Sequence, residues 1–255
     1  MPDAVTQRND VYLNVIRAVD GSPCPIVRSG AMSNDLAAAR KATEFLDHDS
    51  PQVEEFVRSA LPTGNLSPRE QAVHLYYAVR DRVRYDVYDA DLSREGMRAS
   101  AIAEAGHGFC LHKSILYAAA ARTVGIPSRL VLTDVRNHLA SERLKQLVGG
   151  DVFHFHCLTA VHLDGRWIRA TPVFNKLLCR LYGIAPLEFD GLSDSMHHPY
   201  DTRGRRSMEF LREHGEFTDF PYEFVIDGLS QTSPKLFRGA AILADGSLAT
   251  EARAA

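Results

Sequence analysis

The sequence predicts an α+β domain in which helices pack on an antiparallel sheet. Two observations carry this. Up to Val124 the apolar residues recur at three-to-four spacing, as on helices with one buried face. Beyond Pro127 the period falls to two, and Asp164-Gly165 joins two such runs as a hairpin turn does. Helical runs followed by strand runs point to segregated layers, not to alternating βαβ units.

The elements follow in order. Val11-Tyr12-Leu13-Asn14-Val15-Ile16 is strand-like and closes at Asp20-Gly21 and Pro23/Pro25. The pattern turns helical from Asn34. Ser50-Pro51 opens a helix through Val53, Phe56, Val57 and Leu61, which Pro62 stops. Ser67-Pro68-Arg69-Glu70 is a capping box with proline at the first helical position, and Ala72, Val73, Leu75, Tyr76, Val79 and Val83 continue its apolar face. Asp86 to Glu104 reads as a polar, irregular loop delivering the chain to Gly106-His107-Gly108-Phe109-Cys110. From Cys110 to Val124 an alanine-rich helix follows, apolar almost all round and therefore central, and Gly125-Ile126-Pro127 ends it. Strands are expected over Arg129–Thr133, Val152–Leu163 and Arg166–Thr171. Residues 172–238 read as loop-rich, and an alanine-rich, flexible tail is expected over 239–255.

The chain has 255 residues, and at a nominal ~150 per domain this suits one large domain, expected over 1–238, and excludes a multi-domain array. Hydrophobic residues at 45% and charged residues at 24% sit at the globular average, so a collagenous, low-complexity or disordered chain is excluded. Lysine plus arginine number 29 against 32 aspartate plus glutamate, a net of −3, which leaves no global positive field for a nucleic acid partner. Cys24, Cys110, Cys157 and Cys179 form no C-x-x-C pair and are too sparse for a disulfide scaffold, so the chain reads as cytoplasmic. The polar, acidic start MPDAVTQRND and the lack of an apolar run near ~18 residues disfavour export and membrane spanning.

Cys110 is the candidate nucleophile. It stands at a helix start, where free backbone N–H groups and the helix dipole favour a thiolate and could hold an oxyanion. The glycines before it would let a substrate backbone approach. A lone cysteine is more often inert packing, but the glycine-bracketed helix start favours function. Such a nucleophile needs a base, and His154, His156 and His162 alternate along one strand onto one face. The same three could suggest a metal, yet no carboxylate or second cysteine shares that face; a cysteine–histidine pair supplies its own nucleophile and base, so no metal and no organic cofactor is expected. Cys157 points the other way, into the core, and His107 and His112 flank the nucleophile.

These residues resemble a family. Ala99 to Leu130, with Gly106-x-Gly108-x-Cys110 heading the alanine-rich helix and Gly125-Ile126-Pro127-Ser128-Arg129 ending it, is similar to the core of the transglutaminase-like superfamily, bacterial type. Leu163-Asp164-Gly165-Arg166-Trp167 resembles its second block, and His156 lies eleven residues before Trp167 as that pattern asks, which selects His156 as the base. With Leu46 to Pro51 and Val83-Arg84-Tyr85 upstream, the resemblance spans roughly residues 40–175. It implies a transglutaminase/papain-like fold with the cysteine at a helix N-terminus. There is one departure: the aspartate that orients the histidine belongs four residues after the tryptophan, where this chain has Thr171. Threonine cannot stabilise an imidazolium as a carboxylate does. Asp134 is the preferred substitute, because its strand and the histidine strand are expected to be antiparallel neighbours; Asn175 and Thr171 are the other candidates.

The expected chemistry is cysteine-dependent acyl transfer or hydrolysis at an amide, ester or thioester carbonyl through an acyl-enzyme, with Cys110, His156 and Asp134 as the triad. The partner is then a small-molecule, peptide or carrier-bound acyl substrate. The resemblance also allows a ring-closing (Dieckmann-type) cyclase on a carrier-bound thioester, and the missing aspartate allows a catalytically inactive binding or scaffold protein.

Overall fold

The computed structural model describes residues 32–138, 140–196, 204 and 207–238. The strand-like run 11–16, Cys24 and the tail 239–255 lie outside them. The helices are α1 (Met32–Ala38), α2 (Pro51–Ala60), α3 (Pro68–Arg82), α4 (Ala99–Ala105), α5 (Cys110–Thr123), α6 (Glu142–Val148), α7 (Lys176–Tyr182) and α8 (Tyr222–Thr232). The strands are β1 (Arg84–Tyr85), β2 (His107–Gly108), β3 (Ser128–Asn137), β4 (Val152–Leu163), β5 (Arg166–Ala170) and β6 (Met208–Phe217). Among the described residues β3 to β6 form an antiparallel sheet in the order β5-β4-β3-β6, which makes the fold α+β. No described helix is long and apolar enough to cross a membrane.

The capping box forms as its spacing requires: the Ser67 hydroxyl accepts from the Glu70 N–H, and the Glu70 carboxylate accepts from the Ser67 N–H at 2.8 Å. The β4–β5 hairpin turns through Asp164 (φ 49°) and Gly165 (φ 81°), consecutive left-handed residues that match the twist of the strands they join.

α5 lies at the centre, buried from Cys110 to Arg122. Several of its polar side chains are held by backbone carbonyls. Ser114 donates to the Cys157 carbonyl at 2.8 Å, and Thr159 returns a bond to the Ser114 carbonyl at 2.9 Å, riveting α5 to β4. Lys113 donates to the Arg80 and Val83 carbonyls at 2.9 and 2.6 Å, placing an amine on the carbonyl end of α3. Arg122 reaches the Lys41, Ser128 and Thr218 carbonyls and so ties α5 to the start of β3 and to two distant segments.

Three segments differ from expectation. Within the supposed loop 86–104 the chain forms α4, whose cap is remote: the Asp47 carboxylate accepts from the Ser100 N–H at 3.0 Å. The strand expected to end at Thr133 continues as β3 to Asn137, because β6 pairs along its other edge and Asp134 faces Arg212. Residues 172–238, read as loops, also hold α7, β6 and α8.

Candidate active site

Three short devices aim Cys110. β1 and β2 pair in parallel, with the Arg84 N–H donating to the Gly106 carbonyl at 2.9 Å and the Asp86 N–H to the Gly108 carbonyl at 3.0 Å, so the approach to Cys110 is fastened to the end of α3. Gly106 ends α4 in the left-handed region at φ 65°. Gly108, at φ 151°, is crossed by His112 of its own chain: a Cβ there would sit 2.5 Å from the His112 Cβ. The glycines therefore answer to the chain's own turn and packing, where the sequence suggested room for a substrate backbone. Cys110 is the first residue of α5, and Phe109 before it supplies no side-chain cap.

Cys110, His154 and His156 line one cavity with Tyr85, Phe109, Phe153, Phe174 and Met208. His162 is elsewhere, with its ring on Trp167 at 5.2 Å. Strict alternation along β4 fails at Phe155, which takes φ 56°, opposite a register shift of β3 between Thr133 and Val135. Among the described residues no group of three or more His, Cys, Asp or Glu could hold a metal ion.

Asp134 sits at that irregularity and is buried. One of its oxygens, Oδ1, accepts from the Phe155 N–H at 3.1 Å and from His214 Nε2 at 2.7 Å, and lies 3.4 Å from His154 Nδ1. Burial acts to raise its carboxyl, but the bond and charge of His214, with the Phe155 N–H and His154, hold it below the usual carboxylate range. The Phe155 ring stacks on His214 at 4.8 Å and lies so close over α8 that a Cβ on Gly228 would come within 2.3 Å of it.

The other two candidates are placed differently. Asn175 accepts from the Tyr85 N–H at 2.7 Å and donates to the Arg80 and Val83 carbonyls, sharing with Lys113 the work of closing α3. Thr171 is buried; its carbonyl accepts from the Tyr76 hydroxyl at 3.2 Å, while its own hydroxyl oxygen has no hydrogen-bond partner. His107 reaches the Ala105 and Asp89 carbonyls, and His112 reaches the Asp91 carbonyl at 3.0 Å.

Burial dominates the electrostatics. It pushes the Cys110 thiol up to about 11, against the pull of the Cys157, Leu111 and Cys110 backbone groups. The helix start acts in the expected direction, but desolvation outweighs it. Burial likewise pushes His156 down to about 4, so at neutral pH both groups rest uncharged.

His112 is also pushed down to about 4 by burial. Both histidines regain an ordinary value near ~6.5 on unfolding, so between pH 6.5 and 4 the unfolded chain binds more protons and stability falls as pH falls. The expected loss at pH 4.5 relative to pH 7 is on the order of 2 to 3 kcal/mol per histidine, read as a drop in the urea midpoint. Equal midpoints at the two pH values would contradict it.

Residues 55–172 match the model of the transglutaminase-like superfamily. No protein of curated function matches the chain. Among solved structures it is similar to a proposed cysteine protease from Cytophaga hutchinsonii, at 13% identity and TM-score 0.41 over 76% of this chain and 56% of that one. It is also similar to the arylamine N-acetyltransferase from Mycobacterium abscessus, at 16% identity and TM-score 0.38 over 52% and 46% of the two chains. A proposed protease from Parabacteroides distasonis gives 14% identity and TM-score 0.34 over 54% and 26%. The match thus spans about half the length of the first two structures and a quarter of the third. Over residues 55–172, a little under half of its length, the chain is similar to the core of the transglutaminase-like superfamily.

Proposed function

We propose that the chain is a cysteine-dependent enzyme that attacks an amide, ester or thioester carbonyl through Cys110, with His156 as general base. The observation that carries this reading is that Cys110, at the first position of α5, and His156, on β4, line the same cavity. In the resting site the neutral imidazole accepts the thiol proton as Sγ bonds to the carbonyl carbon, and the carbonyl π pair moves to oxygen. The first-turn N–H groups of α5, with no side chain capping them from Phe109, are placed to receive that oxyanion. Collapse expels the leaving group, which takes the proton from His156 and leaves an acyl group on sulfur. Water then gives hydrolysis; an amine or carbon nucleophile gives transfer or ring closure.

The test is covalent. Incubation with a thioester probe should leave its acyl group on Cys110, read by intact mass and peptide mapping. An adduct on no cysteine, or one spread equally over Cys157 and Cys179, would overturn the assignment. A binding module without turnover is the second reading, and Thr171 in the aspartate position favours it. Ligand binding with no adduct would select it.

Asp134 acts on His156 through the backbone, since it grips the Phe155 N–H one residue before the base. Asp134→Ala is expected to lower kcat by about 10²-fold, the usual consequence of misplacing a reacting group by an ångström. Asp134→Asn keeps an acceptor for that N–H and should stay within about tenfold of wild type. If Asn is as damaging as Ala, the negative charge itself is required and Asp134 serves the imidazolium instead. Asn175→Ala should act mainly on the melting temperature, because it removes bonds that close α3.

A further inference from the structure

A second cavity adjoins the one that Cys110 lines. Tyr85, Asn137, Phe174 and Met208 line both, so the two are neighbours, and Leu144 and Leu178 are among the walls of the second. Among its described lining residues none carries a charge, and Asn137 and Ser207 are the polar ones besides two tyrosines. The partition between the cavities is the edge-on contact of Tyr85 and Phe174, with ring centroids 4.9 Å apart. The Tyr85 phenol is held neutral by burial, and Tyr85 lines both spaces.

An acyl group attached to Cys110 must extend away from the carbonyl, and the adjoining space offers it an uncharged, aromatic and aliphatic lining. Resting on the acyl-transfer reading above, we infer that the second cavity is the acyl-chain subsite and that the enzyme takes substrates with an apolar, uncharged acyl group larger than acetyl. A carboxylate or ammonium in that position would lose its hydration against Leu144, Leu178 and Phe174 with no counter-charge among the described lining residues. A hexanoyl or phenylacetyl group would be retained. The pocket wall then determines specificity, while Cys110 and His156 supply the chemistry to any carbonyl that reaches them.

The experiment compares N-acetylcysteamine thioesters carrying acetyl, hexanoyl, phenylacetyl and succinyl groups, read as kcat/KM and as the rate of acyl adduct formation on Cys110. Burying a methylene is worth about fourfold, so hexanoyl should exceed acetyl by at least about 50-fold and succinyl should be the poorest of the longer groups. Leu178→Phe, which fills the cavity, should cut the hexanoyl-to-acetyl ratio at least about tenfold, with Met208→Trp as a second filling variant should the first fail to fold. Acylation at similar rates by all four probes overturns the subsite and leaves the acyl-transfer reading intact. If no probe acylates Cys110, the chemistry fails, and calorimetry of hexanoyl against succinyl thioester on the full-length Cys110→Ala protein decides the subsite separately. Selective hexanoyl binding there, weakened by Leu178→Phe, supports it; equal or absent binding overturns it.

Discussion

Cys110→Ala is expected to lower kcat by about 10⁴-fold or more while the protein keeps its fold. The activity loss follows from chemistry: with no sulfur at the head of α5 there is no acyl-enzyme, and the N–H groups that remain can polarise a carbonyl but not attack it. The folding prediction follows from the surroundings. Cys110 is buried, its pKa is raised because burial disfavours the charged form, and its partners are backbone groups. Removing one sulfur from such a place costs about 1 kcal/mol, a shift of a few degrees in Tm. Cys157 and Cys179 are buried more completely than Cys110 and lie outside the residues that line the cavity, so their alanine variants should keep turnover. A Cys110→Ala protein with wild-type turnover, or a dead Cys157→Ala with a live Cys110→Ala, would remove the nucleophile from where it is placed.

The parts of the fold legible in the sequence are those whose signals are local. The α3 capping box, the Gly-Ile-Pro stop after α5 and the Asp-Gly turn of the hairpin each depend on residues within a few positions of one another, and each forms. α4 was hidden because its capping carboxylate, Asp47, is 53 residues away in the chain. β6 was hidden because its sequence, MEFLREHGEF, carries charges on an edge strand whose pairing with β3 no short window displays.

The site shows the same division. The helix start at Cys110 and the eleven-residue interval from His156 to Trp167 are readable on the page. The surroundings of Asp134 are not, since they require a bulge at Phe155, a histidine 80 residues further on and the ring of Phe155 pressed against α8. Burial is also invisible to a motif: the helix N-terminus promises a thiolate, yet the thiol is largely desolvated, and that larger effect decides its resting state.

His156→Ala should lower kcat/KM at pH 7 by about 10³-fold, within the range for losing a general base, and its pH dependence distinguishes a base from a structural residue. In the wild type His156 is pushed down to about 4, so it is neutral and able to accept a proton throughout the physiological range. The acid limb of kcat/KM should therefore fall only as pH approaches 4, where an ordinary imidazole would already lose activity through ~6.5. Without His156 the reaction must use the pre-formed thiolate of Cys110, scarce below its value of about 11, so the variant's rate should climb about tenfold per pH unit and close on the wild type in alkali. Because stability also falls below pH 6.5, the acid points are taken as initial rates on protein shown to recover at pH 7. A variant that stays parallel to wild type across the pH range would make His156 structural. His154 lines the same cavity and approaches Asp134 at 3.4 Å, so an active His156→Ala beside an inactive His154→Ala would transfer the role of base to His154.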